Sequence, residues 1–347
     1  MSEEQCIERE DRFDIDETVY RNFNIKNKIN IWHDIFNCSQ AQVGDTLLIL
    51  NQRIDTPFVV FKRLWEARPI HVCADGATNR LYEYLQEQQK FHELSGDVIR
   101  EKYLPDFIVG DLDSITDDVR QYYSERGVVI LEQHSQYATD FTKCLKLILL
   151  NANSKTFNNF LQNKKQEENL GIDSSHGLLD MCDDLRQHHT VLPHRVNVLA
   201  LGAIGGRFDQ TINSITELYN ARRDNPEMTL TFLTDTDIIM LVASGGTSIE
   251  YSNPPLLPTN KVFRDYVLGN CGLLPIGEEV IVSQTYGLKW DVINWPSSIR
   301  SGRVSSNNRF ASRDKCYIES DRDIVMNIEY YTDKLAEYVS CLLYTSD

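Results

Sequence analysis

Carboxylates gather at the ends of apolar runs in this chain. In PDFIVGDLDSI, residues 105–115, the run stops at Asp111 and Asp113 with Leu112 alone between them. Asp75 ends a second run in CADG, Asp140 opens the helix-patterned TDFTKCLKLILLN, and Arg207 and Asp209 follow two glycines in GGRFDQ. One aspartate at such a place reads most simply as a turn or capping residue. Several at the same edge of one sheet would repel one another unless a cation held them together. Residues two apart in an extended segment project to the same side, so Asp111 and Asp113, with Asp75, are candidate ligands of one hard cation. Mg²⁺ held by a few carboxylates and completed by substrate phosphates is the usual arrangement in phosphoryl transfer, and Lys143 and Arg207 then read as partners of phosphate charge. For Lys143 a solvated surface cation is the plainer reading; Arg207, set in a glycine turn, is the better candidate.

The elements that must position these residues share one grammar. DTLLILNQ, PIHVCADGATNRLYEYLQ, PDFIVGDLDSI with TDDVRQYYSERG, GVVILEQ with TDFTKCLKLILLN, and RVNVLALGAIGGRFDQTINSITELYNARR each join a β-rich apolar run to a polar turn, and all but the first continue into a helix pattern. Strands alternating with helices predict an α/β domain around a parallel sheet, where ligands sit at the carboxyl ends of the strands. In the helix after Asp140, Phe141, Leu145 and Ile148 fall on one face. After about residue 236 the texture changes: TSIEYS, EEVIVSQTYGLKWDVINW, GRVSSNN and DRDIVMNIEYY read as strands without helices, which predicts a separate antiparallel β domain. The expected division is a loose acidic tail over 1–15, a catalytic α/β domain over 16–236 with a polar, irregular insertion at 151–194, and a β-sandwich domain over 237–347.

With 347 residues and 41% hydrophobic composition the chain can bury a substantial core. Its formal net charge of −16 argues against nucleic acid or an anionic membrane as the main partner and is compatible with a cationic ligand, or an anionic one carried by a metal. Eight scattered cysteines form no CxxC pair, and MSEEQCIEREDRFDIDE lacks the basic and apolar regions of a signal peptide. No apolar run approaches a bilayer span. These features predict a cytoplasmic protein with reduced thiols.

Rival motifs are weaker. GAIGG lacks the full dinucleotide fingerprint, and no GxxxxGK[ST] occurs. DLDSI is similar to the nucleophile loop of aspartyl-phosphate phosphatases up to Ser114, which leaves open a metal-dependent phosphohydrolase using Asp111 as nucleophile. A non-catalytic vitamin or nucleotide sensor is the alternative from another class.

Taken in order, CADGATNRLYEYL, PDFIVGDLDSI, QYATDFTKCL, GAIGGRFDQTINSI and GLKW closely resemble the thiamin pyrophosphokinase family, in its fungal form given the insertion after TDFTK. The likeness covers most of residues 45–310 outside that insertion. It implies an α/β domain followed by a β-sandwich, a homodimer, and Mg²⁺-dependent transfer of a diphosphoryl group from ATP to the hydroxyl of thiamin with release of AMP. The β-phosphorus as target comes from the resemblance alone. Carried onto this chain, it implies Asp75, Asp111, Asp113 and Asp140 around Mg-ATP, and Gly76, Lys143, Arg207, Asp209 and Gln210 against ATP. On the thiamin side it implies Gln136, Trp290, Ser306 and Asn307. A cationic thiazolium over an indole face is a favourable pairing, although Trp290 on its own reads as a strand residue of a sandwich core. Two departures stand out: the family's double glycine after the first aspartate is Gly76-Ala77 here, and DVINWPSSIRSGRVSSNN is long between the tryptophan and the polar loop.

Overall fold

The computed structural model describes residues 3–36, 42–94, 97–164, 177–189, 191–251 and 262–343. In chain order the elements begin with β1 (Gln5–Glu8), α1 (Glu17–Tyr20), β2 (Ile25–Asn30) and a π-helical turn over Ile31–Phe36. There follow β3 (Asp45–Ile49), α2 (Phe58–Glu66), β4 (Ile70–Ala74), α3 (Ala77–Phe91), α4 (Val98–Lys102), β5 (Phe107–Gly110), α5 (Asp117–Ser124) and β6 (Val129–Glu132). Next come α6 (Asp140–Asn153), α7 (Lys155–Lys164), α8 (Leu178–His188), β7 (Val196–Leu201), α9 (Phe208–Asp224) and β8 (Met228–Leu233). The remainder is β9 (Asp237–Val242), β10 (Gly245–Glu250), α10 (Phe263–Val267), β11 (Leu268–Leu274), β12 (Val280–Tyr286), β13 (Trp290–Ser297), β14 (Ser305–Arg309), β15 (Lys315–Ser320), β16 (Ile324–Tyr330) and α11 (Thr332–Leu343). They form two compact units, one of Gln40–Phe58 and Trp65–Thr234, the other of Met1–Ser39, Val59–Leu64 and Asp235–Asp347.

The first of these is the α/β unit. Its strands run β8-β7-β3-β4-β5-β6, and every adjacent pair is parallel. Helices on both faces leave such strands no solvent side, so β3 and β5 are buried at every position instead of alternating. The chain steps outward from β3 through β4 and β5 to β6, then returns to the other side of β3 to place β7. That reversal makes the carboxyl ends of the strands near β3 the expected place for a ligand. Helix α6 follows from its sequence: Thr139 caps it by accepting from Thr142 N at 3.3 Å, and Phe141, Leu145 and Ile148 bury one face.

Helix also extends where an irregular polar loop was expected at 151–194. Phe157 and Leu161 of α7, and Leu178, Cys182 and Leu185 of α8, are buried at helical spacing, and Cys182 Sγ reaches Lys146 O of α6 at 3.4 Å. The apolar positions are few and separated by charged residues, so composition hides a periodicity that packing uses. Positions 165–176 of the insertion lie outside the described residues.

The second unit is built of sheet. One sheet runs β1-β13-β12-β15-β10-β2, and the strands β14-β11-β16-β9 are hydrogen-bonded to one another in that order. All these neighbours are antiparallel except β10 and β2. Trp32, Phe263 and Tyr338 pack edge to face, each pair 5.3 Å between ring centroids, and close one end of the core. Here the expected boundaries need correction. Residues 5–8, read as part of a loose tail, form an edge strand paired with β13, and β2 lies within this β unit although residues 16–39 were assigned to the α/β domain. Both segments are too short and polar to signal strands; backbone pairing with partners more than two hundred residues away determines them.

Candidate active site

Asp75 stands at the carboxyl end of β4 in a left-handed conformation, φ +36°, with its amide donating to Val109 O at 2.9 Å. That turn sends its carboxylate under the next strand's loop, where Oδ2 accepts from Ser114 N at 3.1 Å and Oδ1 from Ile115 N at 3.0 Å. Asn79, one turn into α3, fastens the same loop by donating to Ser114 O at 2.8 Å and accepting from Thr116 N at 3.1 Å. Burial pushes the Asp75 carboxyl up to about 6, against the two amides and with the help of Asp140 and Asp111. Gly76 opens α3 beside Asn51, whose Nδ2 would lie 2.7 Å from any added Cβ.

Asp111 follows β5 and Asp140 begins α6. One carboxylate oxygen from each of Asp75, Asp111 and Asp140 lies within 4.8 Å of the others. Gly110 permits this approach, because a Cβ there would stand 2.6 Å from Asp75 Cβ and 3.1 Å from Asp140 Cγ. Asp111 Oδ2 accepts from Gln136 Nε2 at 3.2 Å, whereas Oδ1 is buried and has no hydrogen-bond partner among the described residues. An orphaned carboxylate oxygen beside two further carboxylates fits a hard cation, which needs oxygen ligands and relieves the repulsion. Burial raises the Asp140 carboxyl, and the Lys143 ammonium opposes that shift. Lys143 is 1% exposed and donates to Asp140 Oδ1 and Gln133 O, each at 2.9 Å. It is therefore neither a solvated surface cation nor turned outward to phosphate; it is the buried counter-ion of the carboxylates.

The expected pairing of Asp111 with Asp113 on one side of an extended segment does not form. Leu112 adopts φ +62° and is buried, which breaks the alternation; Asp113 is exposed and accepts from Ser114 Oγ at 2.8 Å. Asp140 takes its place in the trio. Arg207, Asp209 and Gln210 are all exposed in the turn from β7 into α9, with Arg207 Nε bonded to Asp209 Oδ1 at 3.1 Å. That turn requires its glycines: at Gly202, φ +73°, a Cβ would meet Leu50 O at 2.6 Å.

In the β unit, Trp290 is the first residue of β13 and is 38% exposed, so it is not a core residue. Its backbone is held from β14 by Asn308, which accepts from Trp290 N at 3.1 Å and donates to Trp290 O at 2.9 Å. Ser306 and Asn307 are exposed on the same strand. Sequence reading passed over Asn308, Asn51, Asn79 and Gln133. Asn79 and Asn308 stand within or next to the quoted motifs CADGATN and SSNN and could have been flagged; Asn51 and Gln133 carry no signal beyond following a strand.

Two family models match this chain: thiamin pyrophosphokinase, catalytic domain, over residues 61–230, and thiamin pyrophosphokinase, vitamin B1 binding domain, over residues 261–325. The first span holds the carboxylate trio and the second holds Trp290. The thiamine pyrophosphokinase of Saccharomyces cerevisiae is 43% identical over 343 residues, which cover 98% of this chain and 100% of that protein. The crystal structure of the yeast thiamin pyrophosphokinase superposes with a TM-score of 0.84 at 41% identity, covering 96% of this chain and 99% of that one. That of thiamin pyrophosphokinase from Candida albicans gives 0.75 at 36% identity, covering 95% and 99%.

Proposed function

The chain belongs to the thiamin pyrophosphokinase family, and we propose that Asp75, Asp111 and Asp140 carry its chemistry. It is a diphosphotransferase: the hydroxyl oxygen of thiamin bonds to the β-phosphorus of ATP, the bond between that phosphorus and the α-phosphate bridging oxygen breaks, and thiamin diphosphate and AMP leave. The observation that carries the assignment of residues is the convergence of three carboxylates at strand ends with one orphaned, buried oxygen on Asp111.

The trio would hold the metal that accompanies ATP, and Mg²⁺ is the ion its all-oxygen donor set suits. When bound, that ion supplies neutralisation of charge on the transferring phosphoryl group. The chain's own residues do the rest. Lys143 opposes the burial that raises the Asp140 carboxyl and holds it toward the trio, the Ser114 and Ile115 amides fix Asp75, and Gln136 orients Asp111. Arg207, exposed at the mouth of the β7 turn, is free to swing from Asp209 toward phosphate oxygens, with Asp209 and Gln210 beside it. Gly76, opening α3, offers close backbone approach to phosphate. Asp113, exposed on the same loop, would act on the ion through water, and Gln136, which donates to Asp111, would contact thiamin. Trp290 presents its indole to the thiazolium, with Ser306 and Asn307 supplying polar contacts.

Incubation with ATP, Mg²⁺ and thiamin tests this reading. AMP is expected only when thiamin is present; phosphate release without an acceptor, or binding without turnover, would overturn it. The family resemblance supports a homodimer, which native mass spectrometry measures. Cys73, Cys144, Cys182, Cys271 and Cys316 are buried thiols, which supports a reducing compartment such as the cytoplasm; imaging of a tagged full chain tests that.

A further inference from the structure

Arg9 follows β1 directly, and its guanidinium plays no part in the phosphate chemistry. Its Nε meets Asp291 Oδ2 at 2.9 Å, across 282 positions of sequence. Asp291 is fully buried, and its remaining bonds all go to the segment leading into Trp290. Thr285 Oγ1 donates to Oδ1 at 2.9 Å, Leu288 N to Oδ1 at 3.1 Å, and Gly287 N to Oδ2 at 3.1 Å. A buried carboxylate with four donors has one orientation open to it. The arginine is itself wedged in place, its guanidinium 5.1 Å from the ring centroid of Tyr286 and 5.8 Å from that of Phe13. It also grips the residue on the other side of the tryptophan. Arg9 N donates to Lys289 O at 2.8 Å, and Lys289 Nζ returns to Arg9 O at 2.7 Å. In the β1–β13 ladder, Glu8 stands opposite Trp290.

The two neighbours of Trp290 in the chain, Lys289 and Asp291, thus both answer to one arginine of the amino-terminal segment. We infer that Arg9 is a positioning residue for the acceptor: by fixing Asp291 and Lys289 it sets the backbone of residues 287–291, and so the direction in which the Trp290 indole faces the cationic ring. The inference rests on the reading of Trp290 as the stacking surface. Gly287, at φ +110°, gives this turn a glycine's freedom on its amide side, and the bonds of Gly287 N and Leu288 N to Asp291 restrict it as a latch. Asn308 holds the Trp290 backbone from β14, and the carbonyl of Gly287 accepts from Ala311 N at 2.9 Å and Ser312 N at 3.0 Å, whereas the amides of Gly287 and Leu288 are bound by Asp291.

The test is steady-state kinetics on the full chain for Arg9→Ala, Arg9→Lys, Trp290→Ala and the double variant Arg9→Ala/Trp290→Ala. Arg9→Ala is expected to raise the KM for thiamin about five-fold while leaving the KM for ATP within about two-fold, and Arg9→Lys to recover part of the loss. In the Trp290→Ala background the same substitution should change the thiamin KM by less than about two-fold, because Arg9 acts through the indole. A merely structural role would lower kcat and affect both substrates in either background. If Trp290→Ala raises the thiamin KM but Arg9→Ala does not, the latch is refuted while the stacking surface stands. An equal effect of Arg9→Ala with and without the tryptophan also refutes it. An unchanged thiamin KM in Trp290→Ala removes the stacking surface and the latch together. Should Arg9→Ala fail to fold by circular dichroism, Arg9→Gln, which keeps most of the aliphatic stem, takes its place with the same expectations.

Discussion

Lys143 lies one helical turn after Asp140 and bonds to it at 2.9 Å with almost none of its surface in contact with solvent. A buried ammonium beside a half-buried carboxylate, with a second bond to the Gln133 carbonyl, leaves the lysine charge dependent on its partner. Replacement of Lys143 by Met keeps the volume and removes the cation. Asp140 then faces two other carboxylates without a counter-ion, so the variant should lose about 3 kcal/mol of stability in metal-free urea melts. Part of that loss should return with saturating Mg²⁺. A melt within about 0.5 kcal/mol of the parent would show that the pair carries no such weight.

Neutralising the trio should separate its members from Asp113. Asp111→Asn is expected to keep the fold by circular dichroism but to lower turnover about 100-fold or more, as removal of a metal ligand does. Asp113→Asn, on an exposed side chain that accepts from its neighbouring serine, should cost less than about ten-fold. Equal, severe losses in both variants at saturating Mg²⁺ would put Asp113 among the ligands.

The raised carboxyl of Asp75 predicts a pH signature. Its folded value of about 6 stands above the ordinary 3.8, so between these limits the native chain holds more protons than the unfolded one. Metal-free stability from this group therefore falls as pH rises from about 4 to about 6, and the cost of the ionised form is fully present above that. A metal binds only the ionised form and reverses the cost. The difference in Tm between saturating Mg²⁺ and chelator should be small at pH 5 and grow by several degrees, roughly 5 °C, at pH 7.5. Asp75→Asn should flatten that difference across the range.

Trp290→Ala removes an exposed ring and no phosphate contact. The KM for thiamin should rise about ten-fold, corresponding to a stacking contribution of roughly 1 to 2 kcal/mol, with the KM for ATP nearly unchanged. Trp290→Phe should recover part of it. Equal increases for both substrates would show a general disturbance of the β unit and not a lost stacking surface.

Much of this protein was legible in the linear chain because its signals are local. The parallel strands β3, β4, β5 and β7 are largely apolar runs that end at or just before aspartate, glycine or asparagine, β6 ends at Glu132, and such runs need no distant partner to be read. For the same reason Asp75, Asp111 and Asp140 could be named as candidates, since each stands at a strand end or helix start. Their ordered company of motifs sufficed to mark the family. What the chain could not disclose alone was direction and distance. The left-handed backbone at Leu112 turns Asp113 away from Asp111, and Gly110 admits Asp140 in its place; both are consequences of packing between β4, β5 and α6. Lys143 looked like a surface cation because nothing in TDFTK shows that Gln133 and Asp140 close over it. The amino-terminal residues looked like a tail because β1 is stabilised by β13, and Arg9 by Asp291, partners that lie nearly the whole chain away and meet only when the sheet has formed.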